Sequence, residues 1–330
     1  MPAAFRIGVL GAAAIARGFI AGAAPSTTAK VTAVAARDPA RAKAFAAETG
    51  LSRSLPTYEA LLADPDIEGV YVPLPNGLHA EWTIKALEAG KHVLCEKPLA
   101  ASGAEARAMY AAARKAGRLL VEGYPYRLQP QTQELMRLVR CGEIGKPRII
   151  QASVGFTLTD DSDIRLDPAL AGGALMDAGT YPLSFVRMLA SGPAQAVDVR
   201  ARWSGSGVDT SLIANLDFPD GLLAQVSCTF SAAAHRQAVV ALTGGVVLTT
   251  YLNHTGGHLA PVLQVRRGTA SSIPFETVEL PAVNGFLAEV EAFARAAQGQ
   301  GDWLGISEQE SIDVADMLEM ISRARPAPRG

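Results

Sequence analysis

Short, unbroken apolar runs alternate with helix-length stretches through the first 123 residues. The runs fall at 5–10, 30–35, 69–72, 92–95 and 119–122, and the stretches near 14–23, 39–49, 58–63, 79–89 and 102–116. A strand covered on both faces meets no water, so it reads as continuous Val, Ile and Leu rather than as an alternation. The pattern predicts repeated β-α units, which right-handed crossovers wind into an open, doubly wound parallel sheet. After Pro147 the period changes. Longer segments at 147–158, 194–203, 209–217, 222–231, 236–242, 245–250, 262–267 and 273–280 alternate apolar and polar positions, broken by turns such as Pro219-Asp220-Gly221 and Gly244-Gly245. They predict a mostly antiparallel sheet, with helices at 129–140 and about 174–190 on one face. Helices near 284–298 and 307–323 close the chain, and Pro326–Gly330 reads as a loose tail. The expected fold is α/β, with a first domain over 1–123 and an α+β domain over 124–330.

Composition narrows the function. Thirty Lys+Arg against 32 Asp+Glu give a net charge of −2, so there is no cationic field for nucleic acid or an anionic membrane. A 49% hydrophobic fraction excludes global disorder. Arg6 ahead of the apolar run Ile7–Ala16 imitates a secretory signal, but Arg17 interrupts it and no Arg-Arg pair is present. No stretch reaches the roughly 18 apolar residues of a membrane span. The segment is expected to remain as a first strand and turn, in a cytoplasmic protein. Cys95, Cys141 and Cys228 are too scattered for a disulfide framework, and His254 and His258 sit in a Gly-rich loop, so no metal is expected.

Ligands of a doubly wound sheet bind beyond the carboxyl ends of its strands. After the first strand comes Gly11-Ala12-Ala13-Ala14-Ile15-Ala16, a degenerate Gly-x-Gly-x-x-Ala turn. Gly11 permits the tight turn, and Ala12, Ala13 and Ile15 lead into a helix whose free N–H groups suit a pyrophosphate. The second strand ends on Ala36, where an NAD site normally has a carboxylate, and Arg37 follows. A guanidinium binds a 2′-phosphate and stacks on adenine, so NADP is the expected cofactor and NAD the alternative. Asp38 either reaches a ribose or caps the helix after Pro39. Next, Pro73-Leu74-Pro75-Asn76-Gly77-Leu78-His79 forms a rigid loop suited to a wall against ribose and nicotinamide, and Asn76 could equally cap the following helix. Glu96-Lys97-Pro98 then ends a strand and aims Lys97 at the cleft.

Pro75-Asn76-Gly77-Leu78-His79, Glu96-Lys97-Pro98 and Asp177-Ala178-Gly179-Thr180-Tyr181, in that order, resemble the glucose-fructose oxidoreductase / inositol dehydrogenase / rhizopine catabolism (Gfo/Idh/MocA) family over nearly the whole chain. Tyr124-Pro125-Tyr126-Arg127 and Ile164-Arg165-Leu166 are similar to its tyrosine branch, which includes xylose and dimeric dihydrodiol dehydrogenases. The resemblance implies a Rossmann domain, a substrate-binding and oligomerisation domain, and an NAD(P)-dependent enzyme for a sugar, polyol or related alcohol or ketone. It also implies a homodimer or homotetramer joined through the C-terminal sheet. Ala13 and the shortened glycine run after Ala171 depart from the family pattern.

Hydride transfer at an alcohol carbon requires that the hydroxyl proton leave and return, so a proton donor/acceptor must stand at the reacting oxygen. Tyr181 fits if a neighbouring ammonium favours its phenolate, and Lys97 supplies one. Asp177, four residues earlier, shares a helical face with Tyr181 and could fix a substrate hydroxyl or hold Lys97. Pro182 requires that the helix start near Gly179–Tyr181 or be irregular there. Arg127 is a candidate for the cofactor amide or a substrate oxygen. Glu96, His79 and Lys97 itself complete the expected cofactor contacts. Two other readings stay open. A nucleotide-sugar ketoreductase is suggested by the stretch from Leu74 to Trp82, and a non-catalytic NADP-sensing regulator would use the same scaffold without turnover.

Overall fold

The computed structural model describes residues 4–256 and 258–327, so the last three residues of the expected tail lie outside the described part. The chain forms two compact units. The first takes the chain through Ala100 with Ala104–Leu128 and Asn284–Glu308; the second takes Ala101–Gly103, Gln129–Val283 and the chain from Gln309 onward.

In the first unit six strands form one parallel sheet: β1 (Phe5–Leu10), β2 (Ala29–Ala35), β3 (Arg53–Leu55), β4 (Gly69–Val72), β5 (His92–Glu96) and β6 (Leu120–Gly123). Their spatial order is β3-β2-β1-β4-β5-β6, the doubly wound arrangement read from the sequence. The edge strand β3 was not expected, because Arg-Ser-Leu has no apolar run to reveal it; it pairs Ala33–Ala35 with Arg53–Leu55. Helices α1 (Ala14–Ala23), α2 (Pro39–Thr49), α3 (Tyr58–Leu62), α4 (His79–Glu88) and α5 (Gly103–Ala116) connect the strands.

The second unit holds α6 (Pro130–Arg140), β7 (Pro147–Thr157) and α7 (Thr180–Leu189), followed by β8 (Ala196–Trp203), β9 (Asp209–Asp217), β10 (Leu223–Thr229), β11 (Ser231–Leu242), β12 (Gly245–Thr249), β13 (Leu263–Arg267) and β14 (Glu276–Thr277). Eight strands pair in the order β14-β13-β12-β11-β7-β10-β9-β8. Among the described residues, β7–β10 is the one parallel pair of this sheet, which matches the mostly antiparallel reading. The expected strand at 273–280 shrinks to the two residues of β14 at the edge. Helix α7 lies on β7 and β10, and Arg187 of α7 donates to Asp313 of the closing helix α9 (Glu308–Ala324) at 2.7 Å.

The compact units do not divide at the expected boundary of 123/124: the turn Pro125–Leu128 folds with the first unit, and so does α8 (Gly285–Ala297). Phe286, Val290 and Phe293 recur at helical spacing on α8, and they enter the core of the parallel sheet. Phe286 meets Phe19 edge-on at 5.8 Å, and Phe293 meets Phe5 at 5.7 Å. Apolar periodicity shows that a helix has a buried face but not which sheet receives it. Among the described residues, no helix is long and apolar enough to cross a membrane.

Candidate active site

In the first unit the expected residues gather at the carboxyl ends of β1, β2, β4 and β5. Gly11 takes φ +118°, a conformation open to glycine, and its N–H donates to the Ala35 carbonyl at 2.8 Å. A Cβ there would lie 2.9 Å from Leu74, so Leu74 packs directly against the turn. Ala12 is buried and Ala13 occupies the N-cap of α1, with no side chain capping the first helical turn. Ile15 is exposed on that same turn. Within that turn Ala16 N–H reaches back to the Ala13 carbonyl at 3.1 Å, while no side chain caps the N–H groups that open the helix.

At the tip of β2, Ala36 is buried and Arg37 is exposed. Asp38 caps α2: its carboxylate accepts from Ala40 N–H at 2.9 Å, the capping alternative of the two readings. One cation missed by the sequence reading joins Arg37. Arg41 donates to the Ala12 carbonyl at 3.0 Å, and it and Arg37 both bear on the Tyr58 hydroxyl, which burial pushes up and the two guanidiniums pull down. Nothing but its place one turn into α2 could have signalled Arg41.

Pro73 and Leu74 are buried and Pro75 is half-buried, as a rigid wall requires. Asn76 opens a short 3₁₀ turn, and its backbone carbonyl, not its side chain, receives the His79 N–H; the N-cap of α4 is Leu78, so the side-chain capping expected of Asn76 is not formed. His79 departs from its expected role as a cofactor contact. It is fully buried, with Nδ1 2.7 Å from the Pro98 carbonyl and Nε2 2.7 Å from the Leu74 carbonyl, so it ties the Pro-rich loop to the Lys97–Pro98 segment. Burial holds its imidazole below the usual histidine range, against the pull of the two carbonyls. Glu96 is also buried, and its carboxylate accepts from the Tyr71 hydroxyl at 2.6 Å and from Lys97 N–H at 3.2 Å. Lys97 follows, half-buried, at the end of β5. Arg127 is buried within the Pro125–Leu128 turn, 1% exposed. On α8, Glu289 is fully buried with neither oxygen hydrogen-bonded; burial, with the Glu96 charge adding to it, pushes its carboxyl well above the usual range.

The second unit brings Asp177 and Tyr181 onto one continuous helical segment. Residues Leu175–Gly179 form a π-turn that runs straight into α7, which is the irregularity Pro182 demands. Proline has no N–H for the carbonyl four residues back and its ring crowds that carbonyl, so a wider turn relieves both. Asp177 accepts from Arg165 Nε at 3.0 Å, and Arg165 also pairs with Asp163 at 3.0 Å. Tyr181 is half-buried, and Asn253 Nδ2 donates to its hydroxyl at 3.0 Å. The Arg236 guanidinium lies 3.7 Å over its ring. Neither Asn253 nor Arg236 was expected; both sit on distant segments whose meeting depends on sheet register, for which the chain carries no local sign.

The oxidoreductase family with an NAD-binding Rossmann fold matches residues 5–124, and the GFO/IDH/MocA C-terminal domain matches residues 132–247. The chain belongs to the GFO/IDH/MocA oxidoreductase family. Within it, the chain is 34% identical over 315 residues, 95% of each chain, to a D-xylose 1-dehydrogenase (NADP(+)) from Haloferax volcanii. It is 35% identical over 329 residues, 97% of each, to a dTDP-3,4-didehydro-2,6-dideoxy-alpha-D-glucose 3-reductase from Saccharopolyspora spinosa. Its fold matches the crystal structure of a 3-ketoreductase from Actinomadura kijaniata in complex with NADP and TDP-benzene, with a TM-score of 0.88 at 30% identity, covering 98% of this chain and 99% of that one. That enzyme has also been solved with a Tyr→Phe and with a Lys→Ala substitution, at positions separated by the same number of residues as Tyr181 and Lys97. As a member of this family, the chain is an oxidoreductase.

Proposed function

We propose that this family member transfers a hydride between NADP and a sugar or cyclic alcohol or ketone, with Tyr181 as the acid/base and Lys97 as its electrostatic partner. Gly11, Ala12, Ala13 and Ile15 would hold the pyrophosphate at the uncapped end of α1. Arg37 with Arg41 would take the 2′-phosphate, with Ala36 leaving room for it and Asp38 occupied in capping α2. Pro73, Leu74, Pro75 and Asn76 would wall the ribose and nicotinamide, with His79 and Glu96 bracing that wall from within. When bound, the nicotinamide supplies or accepts the hydride. In reduction the Tyr181 hydroxyl delivers a proton to the carbonyl oxygen, and the Lys97 ammonium stabilises the negative charge on the oxygens that share it; oxidation runs the same proton backwards. Asp177 and its Arg165 partner would position the other hydroxyls of the substrate. The single observation that carries this reading is Tyr181, half-buried at the π-turn, with its phenolic oxygen held by a donated amide N–H.

Tyr181→Phe and Lys97→Met should each leave folding and NADPH binding intact while lowering kcat about 10²- to 10⁴-fold. Near-normal turnover by either variant, measured by NADPH absorbance, would remove that residue from the mechanism. A nucleotide-sugar ketone is the second substrate reading, favoured by the 98% coverage of the chain by the ketoreductase fold with its bound TDP-benzene. Free aldoses and nucleotide-linked ketosugars in parallel assays separate the two. Tight NADPH binding with no turnover across both panels would revive the regulator reading. A cytoplasmic setting fits Cys95, Cys141 and Cys228, which are all free.

A further inference from the structure

We propose that Arg236 and Asn253 form a charge frame for Tyr181, a pair of groups that acts in addition to Lys97 to help its phenolic oxygen lose and regain a proton. The proposal rests on the reading of Tyr181 as the acid/base. Arg236 lies on β11, on the face that also carries the buried Ala238 and Val240, while Gln237 and Val239 point outward. This alternation aims the guanidinium inward, where it stacks 3.7 Å over the Tyr181 ring and 5.1 Å from that of Tyr251. The Tyr251 ring rests in turn on Phe185 of α7 at 4.7 Å, so the stack is backed by the helix that bears Tyr181. Asn253 comes from a loop that is pinned at its base. Its carbonyl accepts from Gln129 Nε2 at 2.7 Å, and Gln129 Oε1 accepts from the Thr255 hydroxyl at 3.1 Å.

Both contacts discriminate between phenol and phenolate. A cation over an aromatic face is held by the ring's electron density, which rises when the hydroxyl ionises. An amide N–H donated to an oxygen becomes a charge-assisted hydrogen bond when that oxygen is an anion. Each contact is therefore stronger in the charged state, which is the condition for assisting proton transfer rather than only holding the ring. Asn253 also occupies one acceptor direction of the oxygen. Other charged or titratable groups around this segment include Asp177 of the π-turn with its partner Arg165, Asp209 with Arg325 against Leu175 N–H, Cys228 of β10 packed 3.1 Å from the Cβ position of Gly179, Tyr251, and His254 beside Asn253. The Arg236 charge reaches His254 too, whose imidazole is held below its usual range chiefly by burial. Arg236 and Asn253 act through Tyr181 and are positioning residues.

Ultraviolet titration of tyrosinate in the full chain, with Tyr181→Phe as the reference, isolates the Tyr181 step. In Arg236→Met that step should move up by about one pH unit, and the midpoint of the kcat–pH profile should move with it. Arg236→Lys keeps a cation and should move it less. Asn253→Asp preserves shape but places an anion against the oxygen, and it should also move the step up. The proposal is overturned if Arg236→Met and Asn253→Asp lower kcat with both midpoints unmoved, which is the signature of a purely structural role. If Tyr181→Phe keeps its turnover while the step still moves in Arg236→Met, the charge frame stands and the acid/base reading is what falls.

Discussion

Single side chains in the first unit separate ligand-facing roles from internal ones. Arg37 is exposed at the tip of β2 while Asp38 is committed to capping α2, so the guanidinium rather than the carboxylate is presented there. Hydrogen bonds to a charged group contribute about 1.5–3 kcal/mol, so Arg37→Ser should raise KM for NADPH by about 10- to 150-fold. KM for NADH should stay within about twofold; equal loss with both cofactors would show that Arg37 does not read the 2′-phosphate. Glu289 illustrates the internal kind. It is a buried acid with no hydrogen-bond partner, and its carboxyl titrates well above the usual range. The unfolded chain releases this proton near pH 4.3 and the folded chain keeps it to higher pH. Glu289 therefore lends its full stability below that pH, and the contribution is lost as pH rises toward the folded value. Glu289→Gln fixes the neutral form. Its advantage over wild type in unfolding free energy, from urea titration, should be near zero at pH 4 and grow by up to about 1.4 kcal/mol per pH unit above it. A difference that does not change with pH would mean that Glu289 ionises normally.

At the scale of elements, the segment carrying Asp177 and Tyr181 owes its shape to what precedes it. Ala171 adopts the left-handed conformation at φ 55°, Gly173 sits at φ +113°, and the chain then enters the π-turn. The turn is clamped by Asp209 of β9. Its carboxylate, fully buried, accepts from Leu175 N–H at 2.7 Å and pairs with Arg325 beyond α9. Arg325→Met would leave that carboxylate buried and uncompensated, a loss of about 3–5 kcal/mol. Adding Asp209→Asn to it should recover part of the loss, because the unpaired charge is then gone. If the double variant is no more stable in urea than Arg325→Met alone, the ion pair is not what holds the turn. Such clamps explain how far the sequence could be read. The apolar runs of β1, β2, β4, β5 and β6 and the Glu96-Lys97-Pro98 and Asp177–Tyr181 motifs were legible because their signals are local. The partners Arg41, Asn253, Arg236 and Asp209 were not, since each reaches its target through tertiary register. For α8 the buried face was visible in the spacing of Phe286, Val290 and Phe293, but its destination was not.

At the scale of the whole molecule, the eight-stranded sheet has one face that α7 covers and another that carries Ile149, Ile213, Leu223 and Val239, each at least 36% exposed. Ile149 and Leu223 pair across β7 and β10, so the apolar positions adjoin rather than scatter. The edges of the sheet are poorly suited to association: β14 has two residues, and at β8 the face that carries Ile213 turns polar, with Asp198, Arg200 and Arg202 on it. Short edges and charged edge residues both oppose strand addition. The face is large enough to serve instead. Eight strands at about 4.8 Å spacing span about 34 Å, and seven residues of strand span about 23 Å, giving on the order of 780 Å². A standard interface needs about 800 Å² per partner. A second copy of the chain, docked face to face, meets the requirement and matches the self-complementarity of a two-fold interface. Leu223→Arg and Ile213→Arg each place a further charge among the exposed apolar side chains of this face. An oligomer held through this face should sediment as monomer in either variant at micromolar concentration, with the circular-dichroism spectrum unchanged. A wild-type chain that sediments as a monomer, or an oligomer that survives both substitutions, would mean that the exposed face does not carry the contact.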